Sequence, residues 1–274
     1  MVVTTSLARG ALQEAVRLHS AKVEAMWEAL TRTPMRVPAT YRRFDEWFRT
    51  HRRIHEQAAL LIVFGKIGRR RGALSAFTPQ FQEVGTGWEL EIRQLSVKFS
   101  PGCLEQISLE RLPVTISGHA LERMFQRTDS IRWPVVRDCL AGATLFLNAA
   151  ITAYVAAGCK QCVIPADKGV LVGHVVEGEL ALRTFVPEQA IQPKWQSLLS
   201  DLKKFIVQHK LEIETSALTQ DDEPAIALKA LLTSGKHKWL FEPYVPGVDL
   251  MEGAWRNIET AADAQFSATT KSVD

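Results

Sequence analysis

The chain has 274 residues, of which 46% are hydrophobic and 23% charged, and its formal net charge is +3 at pH 7. These values are typical of a globular protein with one large domain or two small ones. No run of eighteen or more apolar residues occurs, and the N-terminus lacks the basic, apolar and small-residue order of a secretory signal. We therefore expect a cytoplasmic protein without a membrane span.

The amino-terminal third predicts a basic helical domain over residues 1–72. Apolar residues at helical spacing predict one helix over 6–31 and a second over about 41–65. Lys and Arg outnumber Asp and Glu in this third by 14 to 6, a balance of +8. Such a surplus favours attraction to a polyanion; the alternative is a charged face on an ordinary helical domain.

A Gly- and Arg-rich segment at 65–81, GKIGRRRGALSAFTPQF, is predicted to be the joint that ends this domain. Its consecutive Arg69, Arg70 and Arg71 are candidate contacts to a nucleic-acid backbone, and the alternative is that they stay solvated. The segment lacks the Gly-x-x-x-x-Gly-Lys-Ser/Thr pattern, so it predicts no nucleoside-triphosphate site.

Residues 73–210 predict an α+β domain in which helices pack on a small antiparallel sheet. The predicted elements, in chain order, are a strand at 88–100, one or two short strands at 105–117, two helices over 117–142, a buried helix at 144–158, a three-stranded meander at 161–187 and a helix at 194–210. Ser117 is expected to cap the first helix of the pair, while Pro134 should begin the second and Gly142 should end it.

The carboxy-terminal segment, residues 211–274, is acidic. It carries 5 Lys and Arg against 11 Asp and Glu, a balance of −6. A linker is predicted at 212–224, a short helix at 224–232 and disorder over the last fifteen or so residues. Such a segment either repels nucleic acid or covers a basic groove until something displaces it.

Four cysteines include one Cys-x-x-Cys pair, Cys159 and Cys162. A second pair at zinc-finger spacing is absent, and the pair lies between an apolar stretch and a predicted strand, where cysteine often serves as a small hydrophobe. The sequence therefore predicts neither a metal site nor a cofactor.

The first of the paired helices carries His119, Arg123 and Arg127 at every fourth position. Positions four apart drift by about 40° on a helix, so the three side chains share one face. An imidazole transfers protons near neutral pH, and guanidiniums bind phosphate oxygens and stabilise developing charge, which suits phosphodiester chemistry. The alternative is the ordinary polar face of a surface helix.

The stretch SGHALERMFQRTDSIRWPVVRDCLAG resembles the core signature of a small family of toxin-like domains of unknown function, whose pattern is His-Ala-x-x-Arg-Met-x-x-Arg followed by a second helix. The residues that match are Ser117, His119, Ala120, Arg123, Met124, Arg127, Ile131, Val136, Leu140 and Gly142. That family resembles the barnase–EndoU–colicin–RelE superfamily of metal-independent ribonucleases. Such domains often end in a Thr-aromatic pair, which Thr184-Phe185 supplies here.

The resemblance implies a RelE/barnase-like domain that cleaves RNA with the 2′-hydroxyl of the substrate and without metal or other cofactor. His119 would be the general base or acid, and Arg123 and Arg127 would bind the scissile phosphate. His174 would be the second proton-transfer group, while Thr184 and Arg183 would orient the phosphate. Implied partners are RNA and an antitoxin or other protein.

The resemblance covers residues 113–187, and two departures are evident. Thr128-Asp129 stands where the family usually has a turn glycine, and a predicted extra helix separates the signature from the meander. His174 also suits a hydrogen-bonded structural role, and Thr184 is a good strand former. The alternative function is therefore a non-catalytic nucleic-acid-binding or protein-interaction subunit built on the same fold.

Overall fold

Seven strands and six α-helices make up the part of the chain that the structure, a computed structural model, describes: residues 3–32, 59–67, 71–85, 87–100 and 103–243. The strands are β1 (Leu61–Lys66), β2 (Gly72–Val84), β3 (Gly87–Ser100), β4 (Cys103–Ser117), β5 (Gln161–Ala166), β6 (Gly169–Val176) and β7 (Glu179–Pro187). The helices are α1 (Thr5–Arg32), α2 (Gly118–Arg127), α3 (Trp133–Ala157), α4 (Pro193–Gln208), α5 (Lys210–Thr219) and α6 (Glu223–Thr233). Short 3₁₀ turns occupy Glu188–Ala190 and Lys238–Phe241.

The strands form one sheet in the order β1-β2-β3-β4-β7-β6-β5, in which β4 and β7 are parallel and all other neighbours are antiparallel. Short connections join β1 to β4 and β5 to β7 into two meanders, as antiparallel neighbours allow. Between the meanders, α2 and α3 carry the chain to the far edge of the sheet. The second meander then returns until β7 lies beside β4. The predicted α+β class is confirmed, whereas the small antiparallel sheet expected from the sequence is a seven-stranded sheet that is antiparallel except between β4 and β7.

One side of the sheet, the helix-covered face, is the main hydrophobic core. Phe77, Leu90 and Ile116 lie on this face through the strand registers, and all three are fully buried. The amide of Gln94 fixes α5 to this face, because its Nε2 donates to the Ala217 carbonyl at 3.1 Å.

Helices α1 and α3 pack against the same face through an aromatic cluster. The ring of His19 on α1 lies 6.0 Å from that of Phe81 on β2 and 5.6 Å from that of Trp133 at the start of α3. Phe81 and Trp133 are 5.4 Å apart. The edge-to-face arrangement of these rings holds two helices and a strand together.

Most predicted elements in the described part of the chain are confirmed. The helix at 6–31, the strand at 88–100, the three-stranded meander and the helices near 194–210 and 224–232 all form. The two turns that join the strands of the meander place Lys168, Glu177 and Gly178 at positive φ. The residues predicted as one or two short strands form a single strand of 15 residues, β4.

One prediction near the amino-terminal third is wrong in part, and a second is wrong. The helix expected over 41–65 is contradicted only at its end, where 61–65 belong to β1, and its residues 41–58 lie outside the described ones. The predicted joint at 65–81 contains most of β2, which pairs with both β1 and β3. Over 61–65 the structure has a strand where a helix is expected, because the run LIVFGK is short and apolar and has a glycine near its end, which suits a strand. Pro79 is tolerated since it lies past the residues of β2 that pair with β1.

A predicted helix end and a predicted linker are also wrong. Gly142 lies inside α3, which continues to Ala157 and ends at Gly158 with a left-handed φ of 72°. The cost of a mid-helix glycine, about 1 kcal/mol, is offset because α3 buries apolar residues on both sides of it, including Leu140 and Ala143. The predicted linker at 212–224 forms most of α5, whose Ile213, Ala217 and Leu218 are buried.

The chain forms two compact units, Met1–Glu242 and Pro243–Asp274. The boundaries predicted at 72 and 210 both fall inside the first unit, since β1 and β2 pair across 72 and α5 follows 210 yet bonds to the sheet. The predicted disorder of the last fifteen or so residues lies outside the described ones.

Among the described residues, one helix, α3, is long and apolar enough to span a membrane by length and composition alone. In its most apolar window 61% of the residues are buried inside the protein. The core helix of a soluble protein passes the same test, so this finding is weak evidence for a membrane span.

Candidate functional site

The signature helix α2 begins at a capping residue that the sequence identifies. Ser117 has extended backbone geometry, and its Oγ accepts a hydrogen bond from the amide of Ala120 at 3.2 Å. The opposite side of the helix is core, because Leu121, Met124 and Phe125 are fully buried. Packing therefore fixes which face of α2 remains available for chemistry.

The face that remains carries His119, which is exposed, and Arg123 and Arg127, which are partly exposed. The Arg123 guanidinium donates to Gln126 Oε1 at 3.0 Å, and Gln126 in turn donates to Thr5 Oγ1 of α1 at 3.0 Å. Eight residues separate His119 from Arg127, which is a rise of about 12 Å along the axis. The three side chains therefore span more than two turns of α2 and offer contacts to more than one phosphate group of a bound polyanion.

The other predicted site residues lie on the second meander. His174 on β6 pairs in register with Ala181 of β7, and Thr184 pairs with Val172. A register shift between these pairs makes Arg183 the extra residue of a β-bulge. The pKa of His174 is lowered by burial and then by the charge of Arg183, which lies close to it. At neutral pH its imidazole is uncharged, as a proton acceptor requires.

Ser117 connects the signature helix to Arg183. Its Oγ donates to the backbone carbonyl of Arg183 at 3.0 Å, and the Arg183 guanidinium donates to Glu89 Oε1 on β3, also at 3.0 Å. The start of α2, with His119 two residues past Ser117, therefore meets β7 and β3 at one point. Of the predicted residues, the structure brings together Ser117, Arg183 and His174.

The side of the sheet opposite the helix-covered face is the polar face. Register and hydrogen bonds place on it Gln82, Glu89, Glu91, Arg111, His174 and Glu179. Glu91 is only 8% exposed and accepts hydrogen bonds from Gln82 and from Arg111 Nε, both at 2.7 Å. Arg111 also holds Glu179 through two hydrogen bonds, at 2.6 and 2.8 Å.

The ion pairs of the polar face shift the pKa values of the residues that form them. The hydrogen bond from Arg111 holds the pKa of Glu179 below its usual value, and the same bond leads the causes that raise the pKa of Arg111. Both groups stay charged at neutral pH, so the ladder from β2 to β7 is an intact set of charge-assisted hydrogen bonds.

Sequence reasoning missed this ladder. The alternation in ELEIR does place Glu89 and Glu91 on one face, opposite the buried Leu90 and Ile92. Sequence alone does not reveal their partners, because Arg111, which binds Glu91, and Arg183, which binds Glu89, come from β4 and β7, and the pairing of β3 with β4 and of β4 with β7 is not readable from one sequence.

The predicted nucleic-acid contacts on the amino-terminal side lie elsewhere. Arg69 and Arg70 are outside the described residues. Arg71 is 65% exposed and forms an ion pair with Glu105 at 3.3 Å. It precedes Gly72, which is ten residues from Gln82 on the same strand, about 33 Å away. Arg71 is therefore remote from Gln82 and from the neighbouring residues of the polar face.

Cys139, Cys159 and Cys162 are buried free thiols. Burial raises the pKa of all three, that of Cys159 to about 11, which keeps them protonated and unreactive. Among the described residues no three His, Cys, Asp or Glu side chains form a group that would hold a metal ion.

Comparison of the chain with protein-family models, with curated proteins and with solved structures gave no match in any of the three. The resemblance to toxin-like domains therefore stays a prediction, and function is inferred from the chemistry of the polar face.

Proposed function

We propose that the protein is a cytoplasmic, toxin-type, metal-independent endoribonuclease with a RelE/barnase-like catalytic region. The observation that carries the proposal is the position of His174, whose pKa is lowered by burial and by Arg183, beside a guanidinium that Glu89 orients. A neutral imidazole next to a fixed guanidinium is the minimum equipment for moving a proton at a bound phosphodiester.

The reaction needs no redox partner or co-reactant. His174 accepts the proton of the substrate 2′-hydroxyl, whose oxygen attacks phosphorus. The bond between phosphorus and the 5′-oxygen breaks, and that oxygen receives a proton from His119 at the start of α2. The products are a 2′,3′-cyclic phosphate and a 5′-hydroxyl, and proton transfer back between solvent and the two imidazoles resets the site.

Arg183 binds the scissile phosphate in this scheme. Only one of the two terminal nitrogens of Arg183 donates to Glu89, and 41% of the Arg183 side chain is exposed. Donors of this guanidinium therefore remain for phosphate oxygens. Thr184, the next residue on β7, helps to orient the same group. Arg123 and Arg127 lie about 6 and 12 Å further along α2 than His119, and they contact neighbouring phosphates of the RNA.

Purified protein incubated with end-labelled RNA in the presence of a chelator tests this proposal. We expect fragments with 2′,3′-cyclic phosphate ends, and His174→Gln should slow their formation by about 100-fold or more. His209→Gln is the matched control, because His209 is a partly exposed imidazole at the end of α4, whose ring centroid lies 4.5 Å from that of Phe205. RNA that stays intact with and without divalent metal, across pH 6 to 8, rules the proposal out.

A non-catalytic RNA-binding or protein-interaction subunit is the second candidate. It is favoured by one observation: Arg111 and Arg183 are already paired with carboxylates, so much of the charge of the polar face is neutralised internally. In this case the salt dependence of RNA binding would be steep and Arg71→Gln would flatten it, while His174→Gln would leave binding unchanged. Under either proposed function, we also propose that the protein binds an antitoxin or another protein.

A further inference from the structure

We propose that residues 234–242, which we call the strap, control access to the His174 end of the polar face. The functional meaning of this control rests on the proposed function, whereas the docking of the strap beside His174 does not. The strap follows α6 and is held by two polar anchors, one on α4 and one on the edge strand β5.

The first anchor is Asp201 on α4. Its Oδ2 accepts from Lys236 Nζ at 2.6 Å and pairs with His237 Nε2 at 3.0 Å. His237 is only 2% exposed, so this single carboxylate oxygen holds both an exposed ammonium and a buried imidazole. The contact with Lys236 leads the causes that lower the pKa of Asp201, which keeps the carboxylate charged at neutral pH.

The second anchor is the start of β5. The amide of Lys160 donates to the Leu240 carbonyl at 2.7 Å. The side-chain amide of Gln161 donates to the carbonyls of Trp239 and Glu242, both at 3.2 Å. Leu240 is fully buried against this edge. The strap therefore covers an edge strand whose backbone groups need partners.

Strand register places the second anchor beside the proposed catalytic imidazole. Gln161 pairs directly with His174, and paired residues of antiparallel strands project to the same face about 5 Å apart. The amide that holds the strap is thus on the polar face, next to His174. A strap docked on Gln161 lies at the border of the site.

The composition of the strap suits reversible docking. Gly235 has a φ of 81°, which makes it a turn at the end of α6 that other residues adopt only with strain. Beyond it, the attachments include five hydrogen bonds, the buried side chains of His237 and Leu240, and the partly buried Trp239. Segments held by few apolar contacts open at a lower cost than core elements.

Two variants and a control separate a cover from a merely structural edge. Asp201→Ala breaks the first anchor on a helix that tolerates alanine, and Gln161→Leu breaks the second on a strand. Glu188→Ala is the control: it removes the exposed ion pair of Glu188 with Lys203 of the same α4, at 2.7 Å, without touching the strap.

Limited trypsin digestion measures opening of the strap, and carbethoxylation of His174, followed by peptide mass spectrometry, measures access to the site. Loss of either anchor should raise both rates about tenfold, since each anchor holds more than one hydrogen bond. Cleavage is expected after the exposed Lys236 and Lys238. The Glu188→Ala variant should match the unaltered protein in both measurements.

Faster cleavage without faster modification of His174 would show that the strap is only an edge cover, and unchanged rates in both variants would show that the anchors do not hold it. Either result overturns the proposal. Agreement of Gln161→Leu with Asp201→Ala excludes general unfolding of α4 as the cause. None of these measurements depends on cleavage of RNA, so an inactive protein with a gated His174 would reject the proposed function and keep the strap.

Discussion

The two faces of the sheet are stabilised in different ways. The helix-covered face is a close-packed apolar surface, with Phe77, Leu90 and Ile116 fully buried. The polar face carries a ladder of ion pairs from Glu91 through Arg111 to Glu179. Packing of apolar side chains on the first face depends little on pH, whereas hydrogen bonds between charged groups respond to pH and are screened by salt. The fold therefore depends mainly on the first face, and chemistry is available on the second.

The largest effect is expected on the helix-covered face. Phe77→Ala removes a fully buried ring from β2 and leaves a cavity beneath the helices. We expect a loss of about 3 to 5 kcal/mol in the free energy of unfolding, measured by denaturant titration. A loss below about 1 kcal/mol would mean that the core repacks at no cost and that the two faces do not differ as described.

A smaller loss is expected from the polar face. Arg111→Met keeps much of the aliphatic side chain but leaves Glu91, which is nearly buried, and Glu179 without their guanidinium. We expect about 2 kcal/mol of destabilisation, because unpaired carboxylates retain their desolvation cost.

Arg17→Met is the matched control for Arg111→Met. Arg17 and Glu14 lie one turn apart on the exposed surface of α1, where 71% of the Arg17 side chain and 54% of the Glu14 side chain are accessible. Its loss should leave the unfolding transition unchanged within error. Equal effects of the two substitutions would show that the ladder is no more than a surface ion pair.

The contrast between the faces also explains what the sequence alone predicts. Local signals identify the meander β5 to β7, with its turn residues at positive φ, and the Ser117 cap, because alternation, turns and caps are encoded within a few residues. They fail at β1 and β2, whose apolar run fits two periods, and at Gly142, where burial outweighs propensity.

The candidate site divides in the same way. The face of His119 and Arg123 is local and is visible as a spacing of four. The contacts of Arg183 with Glu89 and with Ser117 join residues 94 and 66 positions apart. They depend on the parallel pairing of β4 with β7, which follows from the whole topology rather than from any stretch of sequence.

The acid stability of the protein should depend on the ladder. The pKa of Glu179 is lowered from 4.5 in the folded state by the hydrogen bond from Arg111. Its contribution to stability is therefore fully present above about pH 4.5 and is lost as the pH falls through the folded pKa. In Glu179→Gln, the difference in unfolding free energy from the unaltered protein should be constant above pH 5 and should shrink below it. A difference that grows as the pH falls would reverse the sign of this coupling.

The smallest expected effect is a shift in the titration of His174, and it tests whether the polar face is one connected site. Burial is the first cause that lowers the pKa of His174 from 6.5, and the charge of Arg183 is the second. Arg183→Met should therefore raise this pKa while leaving it below 6.5, as followed by NMR titration of the imidazole. Because a neutral imidazole is favoured in the folded state, the stability that His174 contributes is present above pH 6.5 and declines as the pH falls towards the folded pKa. The Arg183→Met variant should lose less of this stability between pH 6.5 and the folded pKa.

Arg71→Met is the control, since Arg71 precedes β2 at the end that is far from His174. It should leave the titration of His174 unchanged. An equal shift in both variants would mean that the net charge of the protein, rather than the neighbouring guanidinium, sets the pKa of His174.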